Sequence, residues 1–144
     1  MTPTIPWHQL PAAPRLVILG GSRTGKTTLA RQLERTHAVP ARHIDELIRG
    51  HGLDWSGVSE VASRWLDEPG PWVIEGTRAA HALRKWLRRR PQGDRVAPCD
   101  CAIFLRRPML AQTEGQRRQA EGIGTVWQEV VAQLVARKVR VVGG

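Results

Sequence analysis

The chain has 144 residues, which suits one domain around one hydrophobic core and leaves no room for two. Its hydrophobic fraction of 41% is ordinary for a globular protein, and no run approaches the roughly 18–20 apolar residues of a membrane span. A formal net charge of +9 exceeds what solubility asks for; it favours contact with a polyanion and says nothing about the fold. In chain order, residues 1–15 carry Pro3, Pro6, Pro11 and Pro14 and no basic segment leading into an apolar one. They read as an extended arm pinned to the core by Trp7, rather than as a signal or transit peptide.

Leu16-Val17-Ile18-Leu19 is an apolar run ending at glycine, which predicts a buried first strand. A helix is expected over 27–37 and a second strand over 38–44, interrupted by Pro40. Val58, Val61, Ala62, Trp65 and Leu66 recur at helical spacing until Pro69-Gly70-Pro71 stops them. Trp72-Val73-Ile74 is the third strand, and 79–90 a helix whose Leu83, Trp86 and Leu87 share one face. Cys99 and Cys101 lead into a fourth strand, Ala102-Ile103-Phe104-Leu105. Pro108 is expected to open the next helix, with helical segments to about 137 broken at Gly122-Ile123-Gly124 and a last strand over 139–142. Strands alternating with helices predict a parallel α/β sheet.

Gly20-Gly21-Ser22-Arg23-Thr24-Gly25-Lys26-Thr27 fits the phosphate-loop pattern G-x-x-x-x-G-K-S/T at every fixed position, between an apolar strand and an amphipathic helix. Glycines let the backbone curl around a phosphate so that successive N–H groups form an anion nest, and the helix adds its positive N-terminal end. The phosphate-binding set is therefore Gly20, Gly21, Ser22, Arg23, Thr24, Gly25, Lys26, Thr27 and Thr28. Lys26 is expected to bridge the β- and γ-phosphates and the Thr27 hydroxyl to hold Mg2+. No guanine-reading Asn/Thr-Lys-x-Asp run is present, so ATP is the expected donor. The fold expected is a three-layer P-loop NTPase with helices on both faces of a five-stranded parallel sheet in the order 2-3-1-4-5, forming one domain over 1–144.

The remaining polar residues resemble those of small P-loop kinases, above all the adenylate-kinase-like group that includes the bacterial DNA topology modulation proteins and phage kinases. Three stretches carry the resemblance. In His43-Ile44-Asp45-Glu46-Leu47, nineteen residues after Lys26, it implies Asp45 as the general base that takes the proton of the attacking hydroxyl, with Glu46 as a rival. In Trp72-Val73-Ile74-Glu75-Gly76-Thr77-Arg78 it implies that Glu75 orients the Mg2+ water shell and Arg78 holds the acceptor, although this arginine comes one residue earlier than in adenylate kinases. After the fourth strand it implies a very short arginine-bearing lid over the γ-phosphate: Arg117 and Arg118 are favoured, with Arg106 and Arg107 the other choices.

The acceptor is marked less clearly. Arg78, Arg84, Lys85, Arg88, Arg89, Arg90 and Arg95 share their stretch with a single acid, Asp94, whereas residues 41–75 carry seven acids and three arginines. Either the basic stretch is a solvated helix face, or Arg84, Lys85 and Arg88 track a DNA backbone while a tryptophan such as Trp86 stacks on a base. The second option makes DNA the substrate. The resemblance extends to phage kinases that phosphorylate 5-hydroxymethyluracil within DNA, where the target nucleotide is flipped toward Asp45. The alternative is a free nucleoside monophosphate or small metabolite, bound by an acceptor lobe between Asp45 and Trp65 that includes Trp55. A third reading is a non-catalytic ATP-binding protein associated with DNA. Two cysteines one residue apart close no useful disulfide, which points to a reduced cytoplasm, bacterial or that of a phage-infected host.

Overall fold

A computed structural model describes residues 3–143, with residues 49–51 given by their backbone alone. The elements are β1 (Arg15–Gly20), α1 (Lys26–His37), β2 (Ala41–His43), α2 (Asp45–His51), α3 (Trp55–Trp65), β3 (Trp72–Glu75), α4 (Ala79–Arg89), β4 (Cys101–Leu105), α5 (Glu114–Ala136) and β5 (Arg140–Gly143). All five strands pair in parallel, in the order β2-β3-β1-β4-β5. This is the expected sheet. β1 is central, so its pleat feeds two cores: Leu16 and Ile18 face α1, while Val17 and Leu19 face α3, α4 and α5.

The arm before β1 is not wholly extended. Trp7–Gln9 form a 3-10 turn, Ile5 is buried in the α1-side core, and Trp7 stacks on His37 with ring centroids 3.9 Å apart. β2 is shorter than the sequence predicts, because Ala38 caps α1 in the left-handed region at φ 54° and Pro40 delays pairing until Ala41. The region after β4 departs further. Pro108 lies in an irregular segment, and α5 begins at Glu114, where the Thr113 hydroxyl accepts from Gln116 N–H and the Gln116 side chain accepts from Thr113 N–H. That reciprocal cap is a stronger start signal than the proline. Gly122 and Gly124 do not break α5: Ile123 between them is buried with Val126, Trp127, Val130 and Leu134. Each mid-helix glycine costs about 1 kcal/mol, less than burying such a stripe contributes.

α4 and α5 are clamped by charge. Asp94, after α4, accepts from Arg90 (2.8 Å) and from Arg137 at the end of α5 (2.6 Å), which holds its carboxyl well below the usual range. Both guanidiniums also lie over Trp86, at 5.0 and 5.7 Å from its ring centroid. Cys99 and Cys101 are fully buried, and burial pushes both thiols up, Cys101 to about 12. They are packing residues rather than nucleophiles at neutral pH.

His81 on α4 gives the fold a testable pH dependence. Its Nδ1 is buried without a hydrogen-bond partner among the described residues. Burial first, then Arg78, Arg84 and Lys85, lower its pKa from 6.5 to about 4, with Glu129 opposing them. Between those values the unfolded chain binds a proton that the folded chain refuses, so stability falls as pH drops through this window and His81 contributes no further loss below it. Urea midpoints of the native chain should decline from pH 6.5 to 4 more steeply than those of His81→Gln; parallel declines would show that His81 is not the sensor.

Candidate active site

β1 stops at Gly20 because a Cβ there would meet the Leu105 carbonyl oxygen at 2.3 Å, and only glycine lets the chain turn so close to β4. The loop enters α1 through Gly25 at φ 89°, again a glycine conformation. Lys26 is 6% exposed, and its ammonium donates to Gly21 C=O at 2.6 Å, an oxygen that also accepts from the Thr24 hydroxyl at 2.9 Å. Burial lowers the Lys26 pKa, while the negative charges of Glu75 and Asp45 oppose that shift. The ammonium is thus tethered to the loop and feels the charge of both carboxylates.

Glu75 is 2% exposed at the end of β3 and is the polar hub of the site. One oxygen, Oε2, accepts from the Thr27 hydroxyl at 2.9 Å and meets His43 Nδ1 at 2.5 Å. The sheet register explains both contacts: Glu75 pairs with Ile18 of β1 on one side and with His43 of β2 on the other. The pairing also brings Ile44 N–H onto Glu75 C=O at 2.9 Å, which delivers Asp45 to the same edge. Thr27 and Glu75 are hard oxygen donors side by side, and they fit a Mg2+ ion that keeps most of its waters and takes phosphate oxygens. Sequence reasoning alone misses His43; its signal is its place, two residues before Asp45 in the same motif.

Asp45 opens α2 and lines a cleft of about 340 Å³ together with Ser22, Ile48, Trp55, Thr77 and Gln119. Its Oδ1 is buried and has no hydrogen-bond partner among the described residues. Glu46 is exposed and does not line the cleft, which separates the two rivals. Arg78 donates through Nε to Ser59 Oγ at 3.1 Å and lies over Trp55, with its guanidinium carbon 5.5 Å from the ring centroid.

The residues that reach the phosphate loop from beyond β4 are amides rather than arginines. Ser22 donates to Gln119 Oε1 at 3.0 Å, Gln112 donates to Ser22 C=O at 2.6 Å, and Met109 N–H donates to Arg23 C=O at 2.7 Å. Segment 106–113 and the start of α5 therefore lie directly on the loop, leaving no room for a Cβ at Gly21 (Ala120 Cβ at 2.7 Å) or Gly25 (Met109 Sδ at 2.8 Å). Arg106, Arg107, Arg117 and Arg118 are all exposed around this seam; Arg106 stacks on Phe104 at 4.4 Å, and Arg118 is 4.0 Å from Glu114. Gln112 and Gln119 carry no sequence signal, since only the packing of α5 on the loop singles them out.

The basic run on α4 is less free than its sequence suggests. Glu60 comes to it from α3, Asp67 from the turn after α3, and Glu129 from α5. Glu129 lies 3.3 Å from Arg84 and 3.7 Å from Arg88, Arg89 reaches Ser63 at 2.6 Å and Glu60 at 3.7 Å, and Lys85 reaches Ser56 at 3.4 Å. Neither Arg84, Lys85 nor Arg88 lines the cleft. Trp86 is 2% exposed, with its indole N–H on Asp67 at 2.8 Å, so it cannot stack on a base as the sequence suggests.

No protein-family model matches the chain, and no curated protein matches it. Solved structures do. Shikimate kinase from Acinetobacter baumannii, in complex with shikimate, superposes with a TM-score of 0.57 at 14% identity, over 93% of this chain and 88% of that one. Shikimate kinase from Aquifex aeolicus gives a TM-score of 0.47 at 15% identity, over 80% and 82%. At this identity the first likeness establishes the fold: the chain has the P-loop NTPase fold of that kinase, with the same five-stranded parallel sheet. Among the described residues, no helix is long and apolar enough to cross a membrane.

Lys26 is the buried ammonium of the loop, and its expected role as phosphate anchor is open to a direct test. Lys26→Ala should abolish ATP binding in calorimetry while the circular dichroism spectrum stays native. Undiminished binding by the folded variant would refute the assignment.

Proposed function

We propose that this chain is an ATP-dependent kinase that phosphorylates the hydroxyl of a small molecule, with Asp45 as its general base. The observation that carries the reading is the buried Oδ1 of Asp45, without a hydrogen-bond partner among the described residues, in the cleft that Ser22 of the phosphate loop also lines. An orphaned carboxylate oxygen is costly, and it is worth keeping where a substrate hydroxyl can satisfy it. In the proposed step the acceptor oxygen attacks the γ-phosphorus of ATP and its proton passes to Asp45. The bond from the γ-phosphorus to the bridging oxygen breaks, and ADP leaves with the electron pair. Lys26 offsets charge on the β- and γ-phosphates. The exposed arginines Arg117 and Arg118, with Arg106 and Arg107, are the cations available to an incoming γ-phosphate. Mg2+, when bound, neutralises phosphate charge; Thr27 would hold it directly and Glu75 through water.

Two things favour a small acceptor over DNA. A cleft of about 340 Å³ admits a molecule of metabolite or nucleoside size, and a duplex could offer only a flipped nucleotide. The Acinetobacter baumannii kinase that shares the fold holds shikimate, a small alcohol. The DNA reading keeps one observation in its favour, the net charge of +9. A non-catalytic role leaves the orphaned Asp45 oxygen without a reason.

Asp45→Asn preserves shape and most hydrogen bonding but cannot accept the proton. It should leave ATP affinity unchanged and lower turnover by roughly 10² or more, the usual scale for loss of a general base, as read from coupled ADP release with a panel of small alcohols. Normal turnover by this variant would remove Asp45 from the chemistry. The acceptor class is tested by replacing Arg84, Lys85, Arg88 and Arg89 together with Gln. KM for a small acceptor should barely change, and duplex DNA should not compete. A DNA substrate would instead lose affinity across all sequences, and the salt slope would flatten by about 0.9 for each phosphate that is no longer neutralised.

A further inference from the structure

The wall of the cleft across from the phosphate loop is built around Trp55. It is 51% exposed, whereas Trp7, Trp65, Trp72, Trp86 and Trp127 are buried or half-buried. Leaving so large an apolar ring in water costs hydrophobic stabilisation that the other five collect. Yet the backbone that carries the ring is held firmly. The Asp54 side chain caps α3 by accepting from Gly57 N–H at 2.7 Å, and the buried Ser59 hydroxyl donates to Trp55 C=O at 3.0 Å. The same hydroxyl accepts from Arg78 Nε at 3.1 Å, so one serine ties Trp55 and Arg78 into a unit whose guanidinium lies over the indole. Arg78 spends only Nε on this tether. Among the described residues its terminal amino groups have no carboxylate partner, and the nearby cation that acts on it is Arg84.

We infer that Trp55 and Arg78 form a clamp for the ring of the acceptor, and that the acceptor is a free nucleoside-like alcohol: a planar, carbonyl-bearing ring carried about one sugar's length from the hydroxyl that meets Asp45. The inference rests on the kinase reading above and deepens it. Base-on-indole stacking is strong and tolerant of ring identity, and a guanidinium edge supplies donors for ring carbonyls. A non-aromatic polyol would satisfy Asp45 but leave the Trp55 face wet. The cleft of about 340 Å³ accepts one ring and one sugar, which suits a free nucleoside better than a strand.

The test is calorimetric titration of the full chain, with Mg2+ and a non-hydrolysable ATP analogue present, by adenosine, guanosine, cytidine, thymidine, ribose, shikimate and a single-stranded oligonucleotide. At least one nucleoside should bind about tenfold or more tighter than ribose or shikimate, the scale of one base stack. Trp55→Leu should erase that preference, and Arg78→Gln should weaken it, while both retain affinity for the ATP analogue as a check on folding. Equal affinity for ribose and nucleosides, a preference that survives Trp55→Leu, or tighter binding of the oligonucleotide than of any nucleoside would each overturn the clamp. The two readings fail separately. Phosphoryl transfer to shikimate with no ring preference keeps the kinase and removes the clamp, whereas no ATP binding at all removes the kinase.

Discussion

A carboxylate as buried as Glu75 costs several kcal/mol unless donors and cations face it, and the site is organised around meeting that demand. β1, β2 and β3 converge so that Thr27 and His43 share one Glu75 oxygen while the Lys26 ammonium stands within electrostatic reach. The parallel register leaves little freedom here, since a shift of one residue would turn Glu75 to the other face of the sheet. The phosphate loop, the hydroxyl that suits a metal ion and the start of α2 with Asp45 are therefore fixed relative to one another by one buried charge. Neither partner of this charge can leave alone without exposing the other to the low-dielectric interior.

The same logic covers the loop and the helices around it. The loop is roofed by Gln112, Gln119 and the backbone of Met109, which occupy hydrogen-bonding groups of Ser22 and Arg23. All three contacts are neutral; in only one of them does the loop donate, from the Ser22 hydroxyl, and that bond is the one a phosphate oxygen could accept in place of Gln119. By contrast the charged contacts cluster away from the cleft, where Asp94, Glu129, Glu60 and Asp67 knit α3, α4 and α5 together. Much of the basic run on α4 thus serves the packing of three helices, and exposed pairs of this kind add little stability each.

The sequence makes the fold legible where local rules act alone. The apolar runs at 16–19, 72–74 and 102–105 are too short and too well bounded by glycine, proline and polar residues to be anything but buried strands. The phosphate loop announces the junction of β1 and α1. Asp45 stands out through the resemblance of His43-Ile44-Asp45-Glu46-Leu47 to small P-loop kinases. The rest depends on packing between distant segments. α5 runs through Gly122 and Gly124 because Ile123 is buried on a core that no local window contains, and Gln119 touches Ser22 only because α5 lies across the loop. The basic run looks free in the sequence because its acids lie up to forty-five residues away in the chain, as Glu129 does from Arg84. His43 is visible in the motif, but its role needs the β2–β3 register that puts it on Glu75.

The proposed chemistry stands or falls on one point: that the phosphate loop, the Thr27–Glu75 pair and Asp45 serve a single reacting centre at the cleft lined by Ser22 and Asp45. A crystal structure of the chain with Mg2+ and a non-hydrolysable ATP analogue tests it most directly. The triphosphate should lie within the loop from Gly20 to Thr27, with the Thr27 hydroxyl turned from Glu75 onto the metal. The Asp45 carboxylate should face the γ-phosphate across the space between Ser22 and Trp55. A triphosphate bound outside that loop, or a γ-phosphate directed away from Asp45, would contradict a shared reacting centre.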